Sequence, residues 1–158
     1  RESSGIFVGN PIGWLLRNVN SSLALFKDNG VRGFSKVLIA IRPGRRNKRF
    51  IDVADKICSH FGASLTLLNI VGESDNNQKI KRTEKSSSEL ISGTKSKSVV
   101  KIIRSNNPVE AISEESASYD LLILGTPEKD NWIRVLFGAG EDRFVKKAAC
   151  SVLRLTIK

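Results

Sequence analysis

The 158-residue chain is poor in the residue types on which most reaction centres depend. It contains one histidine, two cysteines and no methionine, and aromatic residues make up only 6% of it. A zinc site takes four close ligands, which His60 and two cysteines far apart in the sequence, Cys58 and Cys150, cannot supply. His60 also falls within a helical pattern, far in sequence from the loops that would hold a nucleophile. We therefore predict no catalytic residue, no metal site and no enzymatic activity.

Long apolar runs are also missing. The longest, such as residues 121–124, are far too short to cross a bilayer, and the first residues show no signal-peptide pattern. Because the chain lacks methionine even at its start, we expect it to be a fragment excised from a longer protein. The two cysteines make no disulfide framework, and their apolar surroundings predict buried free thiols in a reducing, cytoplasmic setting.

Positive charge, by contrast, is in excess, with a formal net charge of +10. An excess of this size points to nucleic acid or to an anionic membrane surface as a partner. The charge is scattered, however, and only residues 42–49 form a dense basic run. Aromatic residues do not alternate with basic ones, as they do in a platform that stacks bases. We predict no nucleic-acid partner.

Apolar runs and helical repeats alternate along most of the chain. Runs of strand length, typical of strands buried on both faces of a sheet, lie at 36–42, 64–71, 99–103, 121–124 and 151–157. Helices are predicted at 48–61, from Pro108 onward and near 142–149, whereas the polar stretch 72–98 contains either an exposed helix at 77–91 or partial disorder. The alternation predicts an α/β fold, a doubly wound and mostly parallel five-stranded sheet with helices on both faces. Such sheets bind ligands outside the carboxyl ends of their strands.

The first 33 residues do not fit this alternation. Segments 7–26 and 136–155, offset by 129 residues, share two residue pairs, Gly9/Gly138 and Ser22/Ser151, and the order glycine, helix, turn, apolar strand. We interpret residues 1–33 as the tail of a preceding, similar domain followed by a linker at 28–33. The alternative is an accessory helix and strand of the same domain, which itself covers residues 34–158.

Four phrases in a fixed order carry a resemblance to a known family. They are residues 36–41, residues 54–70, Tyr119–Gly125 and the stretch from Val135 to Leu153. Together they resemble the universal stress protein family over residues 35–158. The resemblance implies the adenine-nucleotide alpha-hydrolase-like fold.

ATP-binding members of that family carry the motif Gly-x2-Gly-x9-Gly-Ser/Thr, in which the glycines let the backbone approach the phosphates. The corresponding stretch here keeps the spacing but has Glu128 at the middle glycine and alanine at the hydroxyl position. The aspartate that usually ends the family's first strand is replaced by arginine. The resemblance therefore implies weak binding of ATP or another adenine nucleotide, or none. The residues that it assigns to such a site are Arg42, Gly44, Arg45, Gly125, Thr126, Gly138 and Ala139.

Three functions follow from the resemblance. The first is a non-catalytic regulatory or interaction domain, the cytosolic part of a membrane transporter, at the cytoplasmic face of a membrane. Its partners would be a second copy in a homodimer or a tandem sister domain, together with a membrane-embedded domain of the parent chain. The second is a free-standing, ATP-binding universal stress protein. The third is a binder of another anion or nucleotide, in which the arginines of the 42–46 loop replace the usual contacts. Residues 151–157 are apolar enough to form a dimer contact.

Overall fold

The computed structural model describes residues 21–41, 47–125 and 147–157. Six strands and three helices follow one another in this part of the chain. The strands are β1 (Leu23–Lys27), β2 (Lys36–Ala40), β3 (Ser64–Val71), β4 (Ser98–Arg104), β5 (Leu121–Gly125) and β6 (Ser151–Thr156). The helices are α1 (Asn47–Phe61), α2 (Asn77–Ile91) and α3 (Pro108–Ser116).

The six strands form one sheet in the order β1-β6-β5-β2-β3-β4. Strands β2 to β6 run parallel, and β1 lies antiparallel to β6. The α/β, mostly parallel architecture predicted from the sequence is therefore confirmed. The described sheet has six strands rather than five because the segment before residue 33 adds a strand at its edge.

Both faces of the sheet are covered. In β2, Val37 and Ile39 face a core formed with α1, whereas Leu38 faces a second core that includes Ile112 of α3. The side chains of Val37, Leu38 and Ile39 are all fully buried. A strand buried on both faces has no polar face, which is why β2 and β5 read as continuous apolar runs.

Helix α2 forms within the polar stretch that the sequence left open between helix and disorder. Asn76 caps it by accepting a hydrogen bond from the Lys79 backbone N–H at 2.9 Å. Ser87 and Ile91 are buried against the sheet, and Ser87 accepts a hydrogen bond from Asn69 of β3 at 2.9 Å. The Asn69–Ser87 hydrogen bond and the buried Ile91 thus attach this helix to the sheet, whereas most of its other side chains are exposed to solvent.

The predictions for the two ends of the chain can be compared with the structure only in part. Strand β1 occupies the apolar end of the segment 7–26, whereas most of the predicted helix at 142–149 lies outside the described residues. The division of the chain at residues 33 and 34 remains a prediction. Among the described residues, none of the helices has the length and apolar character that a bilayer span requires.

Candidate functional site

The strand order reverses between β2 and β5, and this reversal defines the candidate site. From β2 the chain proceeds through β3 to β4 on one side, and then crosses to β5 and β6 on the other side. A crevice opens outside the carboxyl ends of parallel strands at such a point. Ile41 follows β2 there, and Gly125 ends β5. The other residues predicted for the site lie outside the described residues: Arg42, Gly44, Arg45, Thr126, Gly138 and Ala139.

Gly125 lies at this edge in a place where a side chain would be tightly packed. A Cβ atom added to it would come within 3.2 Å of Cζ of Phe50 and 3.4 Å of Cγ2 of Ile41. Phe50, from the first turn of α1, is 7% exposed and belongs to the core. The glycine therefore lets α1 pack closely over the switch point. Packing alone is enough to explain glycine at this position, whether or not a phosphate also approaches it.

The sequence did not predict that a buried arginine, Arg154, contacts Gly125. Arg154 of β6 is only 7% exposed, and its Nη1 donates a hydrogen bond to the Gly125 carbonyl oxygen at 3.1 Å. It thereby ties the end of β5 to β6. One feature of the sequence could have indicated this contact: Arg154 is a charged residue within an otherwise apolar strand. A buried charge of this kind must find polar partners inside the protein.

The carboxyl ends of β3 and β4 lie at the same edge of the sheet, beside the candidate site. The polar groups of the loops that follow these two strands form hydrogen bonds with one another. Arg104 donates to the carbonyl oxygens of Glu73 and Asp75, both at 3.2 Å. Asn106 exchanges hydrogen bonds with the Glu73 backbone and side chain at 3.2 and 3.1 Å. Lys79 pairs with Asp75 at 2.8 Å, and that hydrogen bond is the main cause of the lowered pKa of Asp75. These contacts join two loops and leave the β2–β5 crevice as the candidate site.

The opposite, amino edge of the sheet holds two structural carboxylates. Asp120 accepts hydrogen bonds from the backbone N–H groups of Ser35 and Lys36 at 2.7 and 2.9 Å. Asp55 of α1 accepts backbone hydrogen bonds from Lys95 and Ser96, the shorter ones at 3.0 and 2.8 Å, and a Ser96 hydroxyl bond at 2.6 Å. Burial raises the pKa of Asp55, but these hydrogen bonds outweigh it and leave the pKa below the usual 3.8.

The histidine and the thiols fall where the sequence predicted. His60 is exposed near the end of α1 and contacts Phe61 edge-to-face at 4.8 Å. Cys58 and Cys150 are buried free thiols, which confirms that prediction. Burial, with a smaller contribution from the Asp55 charge, raises the pKa of Cys58 to about 11, and burial also raises the pKa of Cys150. Within 21–41, 47–125 and 147–157, no three ligand-type side chains cluster in a way that could hold a metal ion.

A doubly wound parallel sheet with a glycine at its switch point is typical of α/β domains that bind ligands at the carboxyl edge. Comparison with protein families gives the particular class: the model of the universal stress protein family matches residues 33–155. The chain therefore belongs to the universal stress protein family, as the sequence resemblance predicted. Comparison with curated protein sequences gives no match.

Several solved structures share the fold. A universal stress protein from Archaeoglobus fulgidus DSM 4304 is 17% identical with a TM-score of 0.67, and the match covers 92% of this chain and 53% of that one. A universal stress protein from Archaeoglobus fulgidus in complex with dAMP is 14% identical (TM-score 0.59; 77% and 98% covered). A universal stress protein in complex with cAMP is 15% identical (TM-score 0.61; 80% and 99% covered).

The first of these matches has a consequence for the front segment. Residues 33–158 make up about four fifths of the chain, so a match over 92% must extend into the residues before 33. In the two nucleotide complexes the match covers no more than 80%. At these identities the likeness shows the fold alone.

Proposed function

We propose that this chain is a regulatory domain that binds an adenine nucleotide weakly between the carboxyl ends of β2 and β5 and performs no chemistry on it. The observation that carries the proposal is Gly125 at the switch point, packed against Phe50 and fixed through its carbonyl by Arg154. Two proteins of the same fold are known as complexes with dAMP and cAMP. An adenine nucleotide is therefore the first ligand class to test.

Weak binding follows from the sequence of the loop after Gly125. Loss of a hydroxyl donor at Ala139 removes a hydrogen bond to a charged group, worth about 1.5–3 kcal/mol. If the motif needs a left-handed backbone at its middle glycine, a non-glycine residue in that place, here Glu128, costs about 1–2 kcal/mol more. Together these changes weaken nucleotide binding by about 60- to 4,000-fold, at about 1.4 kcal/mol per tenfold. The arginines of the 42–46 loop, before the start of α1, offset part of that loss because a helix N-terminus favours anions.

The absence of catalysis is supported by the positions of the titratable groups. His60 lies near the end of α1, away from the crevice, and Asp55 and Asp120 are engaged by backbone N–H groups at the amino edge. Glu110 and Glu115 pair with Lys147 and Lys101, both at 2.6 Å. Among the described residues, none of these side chains is available at the crevice as a general base. We expect no phosphate release from ATP over hours of incubation.

Calorimetric titration with ATP, ADP, AMP and cAMP tests the binding proposal. We expect weak binding that is lost in Arg45→Ala and Gly138→Val. Restoring the motif with Glu128→Gly and Ala139→Ser is expected to tighten binding at least tenfold. Ala149→Ser, the same replacement later in the segment, is the matched control and should change nothing. No binding by the wild type and no gain in the restored variant would overturn the proposal.

We further propose that the domain serves a membrane transporter, at the cytoplasmic face of the membrane. The supporting feature is the net charge of +10, which suits a position beside an anionic leaflet. Flotation with vesicles that contain phosphatidylserine, compared with neutral vesicles, tests the charge argument. We expect the protein to float with the anionic vesicles alone and to be released from them by salt. Equal recovery of the protein with anionic and neutral vesicles would contradict the charge argument. A full-length protein that carries this sequence together with membrane-spanning helices would support the transporter itself.

A free-standing, ATP-binding universal stress protein is the second candidate. The two relatives in complex with adenine nucleotides favour it. Binding at micromolar strength by the unmodified chain, or measurable ATP hydrolysis, would decide for this candidate over the weakly binding regulatory domain.

A further inference from the structure

The turn that follows β1 contains a pair of residues that occurs nowhere else in the sequence. Among all the asparagines of the chain, only Asn29 is followed by glycine, Gly30. Both residues are exposed, so water reaches them. Because glycine has no Cβ atom, its backbone nitrogen can approach the preceding side chain closely. This pair is therefore the place in the chain where a backbone nitrogen can most readily attack a side-chain amide.

The attack needs only water as a co-reactant. The Gly30 nitrogen loses its proton to solvent and bonds to Cγ of Asn29, and the side-chain nitrogen takes up a proton and leaves as ammonia. The product is a cyclic imide. Water then cleaves one of the two bonds from the imide nitrogen to a carbonyl carbon, which leaves aspartate or isoaspartate in place of Asn29. The net change is the loss of ammonia and the gain of water.

In the folded chain both reacting groups are already engaged in hydrogen bonds. The Gly30 backbone N–H donates to Oδ1 of Asp28 at 2.8 Å. Nδ2 of Asn29 donates to the Cys150 carbonyl oxygen at 2.8 Å. The nitrogen that would attack thus keeps its proton on an acceptor, while the amide that it would attack is held toward the start of β6. The closed turn therefore protects Asn29 from the reaction.

The product of the reaction does not suit the same contacts. The Asn29 side chain donates to the carbonyl oxygens of Cys150 and Ala148, at 2.8 and 3.5 Å. A carboxylate has no hydrogen to donate, and it would place negative charge against these oxygens and beside Asp28. Isoaspartate would also insert a carbon atom into the backbone. The Asn29 backbone N–H donates to Oγ of Ser151 at 2.9 Å, so a disturbed turn also loosens β1 from β6.

We propose that Asn29 is a site of spontaneous deamidation, that the closed turn restrains the reaction, and that the product prevents the turn from closing again. The reaction runs in one direction because the ammonia is lost to solvent. A chain that has opened at this turn and reacted keeps β1 loosely attached to the sheet. This site and its chemistry are independent of nucleotide binding.

Peptide mass spectrometry after incubation of the whole chain at mildly alkaline pH tests the reaction and its restraint. We expect aspartate and isoaspartate at position 29 before any other asparagine converts, and about tenfold more slowly in the folded chain than in urea. Ser151→Ala removes the acceptor of the Asn29 N–H and should accelerate the conversion about threefold or more. Ser113→Ala removes another buried serine hydroxyl, on α3, and should leave the rate unchanged.

Three outcomes of that experiment would overturn the proposal. The first is an intact Asn29 even in urea, and the second is an equal rate of conversion in the folded and the unfolded chain. The third is an equal rate in the wild type and Ser151→Ala, because the turn would then give no protection.

Hydrogen exchange tests the effect of the product. Asn29→Asp carries the product carboxylate, and we expect the amides of residues 23–27 to exchange about tenfold faster than in the wild type. Asn76→Asp is the control, because Asn76 accepts a hydrogen bond from the Lys79 N–H at 2.9 Å and a carboxylate accepts it equally well. Unchanged exchange in Asn29→Asp would show that the turn tolerates the product, and equal acceleration in both variants would show no specific effect; either result would overturn the proposal.

Discussion

The amino and carboxyl edges of the sheet use charge in opposite ways. At the amino edge Asp55 and Asp120 accept backbone hydrogen bonds and hold loops in place. At the switch point of the carboxyl edge a buried cation, Arg154, donates a hydrogen bond to the carbonyl oxygen of Gly125. The comparison teaches that the described carboxylates of the amino edge are already committed to the fold.

The carboxyl edge is itself divided into two parts. At β3 and β4, Arg104 and Asn106 tie the two loops together, so that half is closed by the protein's own polar groups. At β2 and β5 a glycine lies against Phe50. The predictions below test whether the stability of the switch point depends on packing around Gly125. They also test whether the stability of the amino edge depends on its carboxylates.

The largest expected effect belongs to Gly125→Val. Its side chain would press on Phe50 and Ile41, and overpacking of this kind costs about 1–3 kcal/mol. We expect a lower free energy of unfolding in urea and complete loss of any nucleotide binding. Gly33→Val is the control, because a Cβ at Gly33 meets no atom within 4 Å. Adding Phe50→Leu should recover part of the stability, and no recovery would mean that the contact with Phe50 is not the cause.

Next in size is Asp55→Ala. Removing the carboxylate leaves the backbone N–H groups of Lys95 and Ser96 without their acceptor, and we expect a loss of about 2 kcal/mol of unfolding free energy. Asp52→Ala, one turn earlier on the same helix, removes an exposed ion pair with Lys48 and should cost about 0.5 kcal/mol or less. Equal losses in the two variants would show that Asp55 is an ordinary surface residue.

The lowered pKa of Asp55 gives this contribution a pH dependence. Because the pKa in the folded state lies below the usual 3.8, the stabilisation is present above that pH. It is lost as the pH falls through the lowered value. Urea unfolding between pH 2 and 6 should therefore show a steeper acid decline for the wild type than for Asp55→Asn. Parallel curves would contradict the assignment.

The smallest effect concerns Cys58. Its pKa of about 11 keeps the thiol protonated in the folded protein, so stabilisation relative to the unfolded chain is present below pH 9 and fades as the pH rises from 9 to about 11. At pH 8 we expect the native chain to react with a thiol reagent at the rate of unfolding. Rapid labelling in native buffer would place the thiol at the surface. Cys58→Ala should show a shallower alkaline decline.

The strands and helices of this protein were largely predictable because their signals are local. β3 begins and ends where the apolar run 64–71 does, and α1 differs from the predicted helix by one residue. α2 was harder to predict, since only Ile80, Leu90 and Ile91 suggested an apolar side. Its burial depends on Ser87, which meets Asn69 of a strand. No local pattern marks a serine as buried.

The candidate site was predictable only in outline. Gly125 was found through its place in a family motif, whereas its contact with Phe50 joins residues that are distant in sequence. Arg154 was missed because a single charged residue in a strand does not reveal which carbonyl it reaches.

The sequence by itself determined the alternation of strands and helices, the burial of the two thiols and the family, because apolar runs and helical spacing act over a few residues. Only the tertiary structure decided that β1 lies against β6, that Leu25 faces Arg154, and that α1 closes over Gly125. These contacts depend on the strand order and the pairing register. They bring together residues from opposite ends of the chain, between which no sequence period extends.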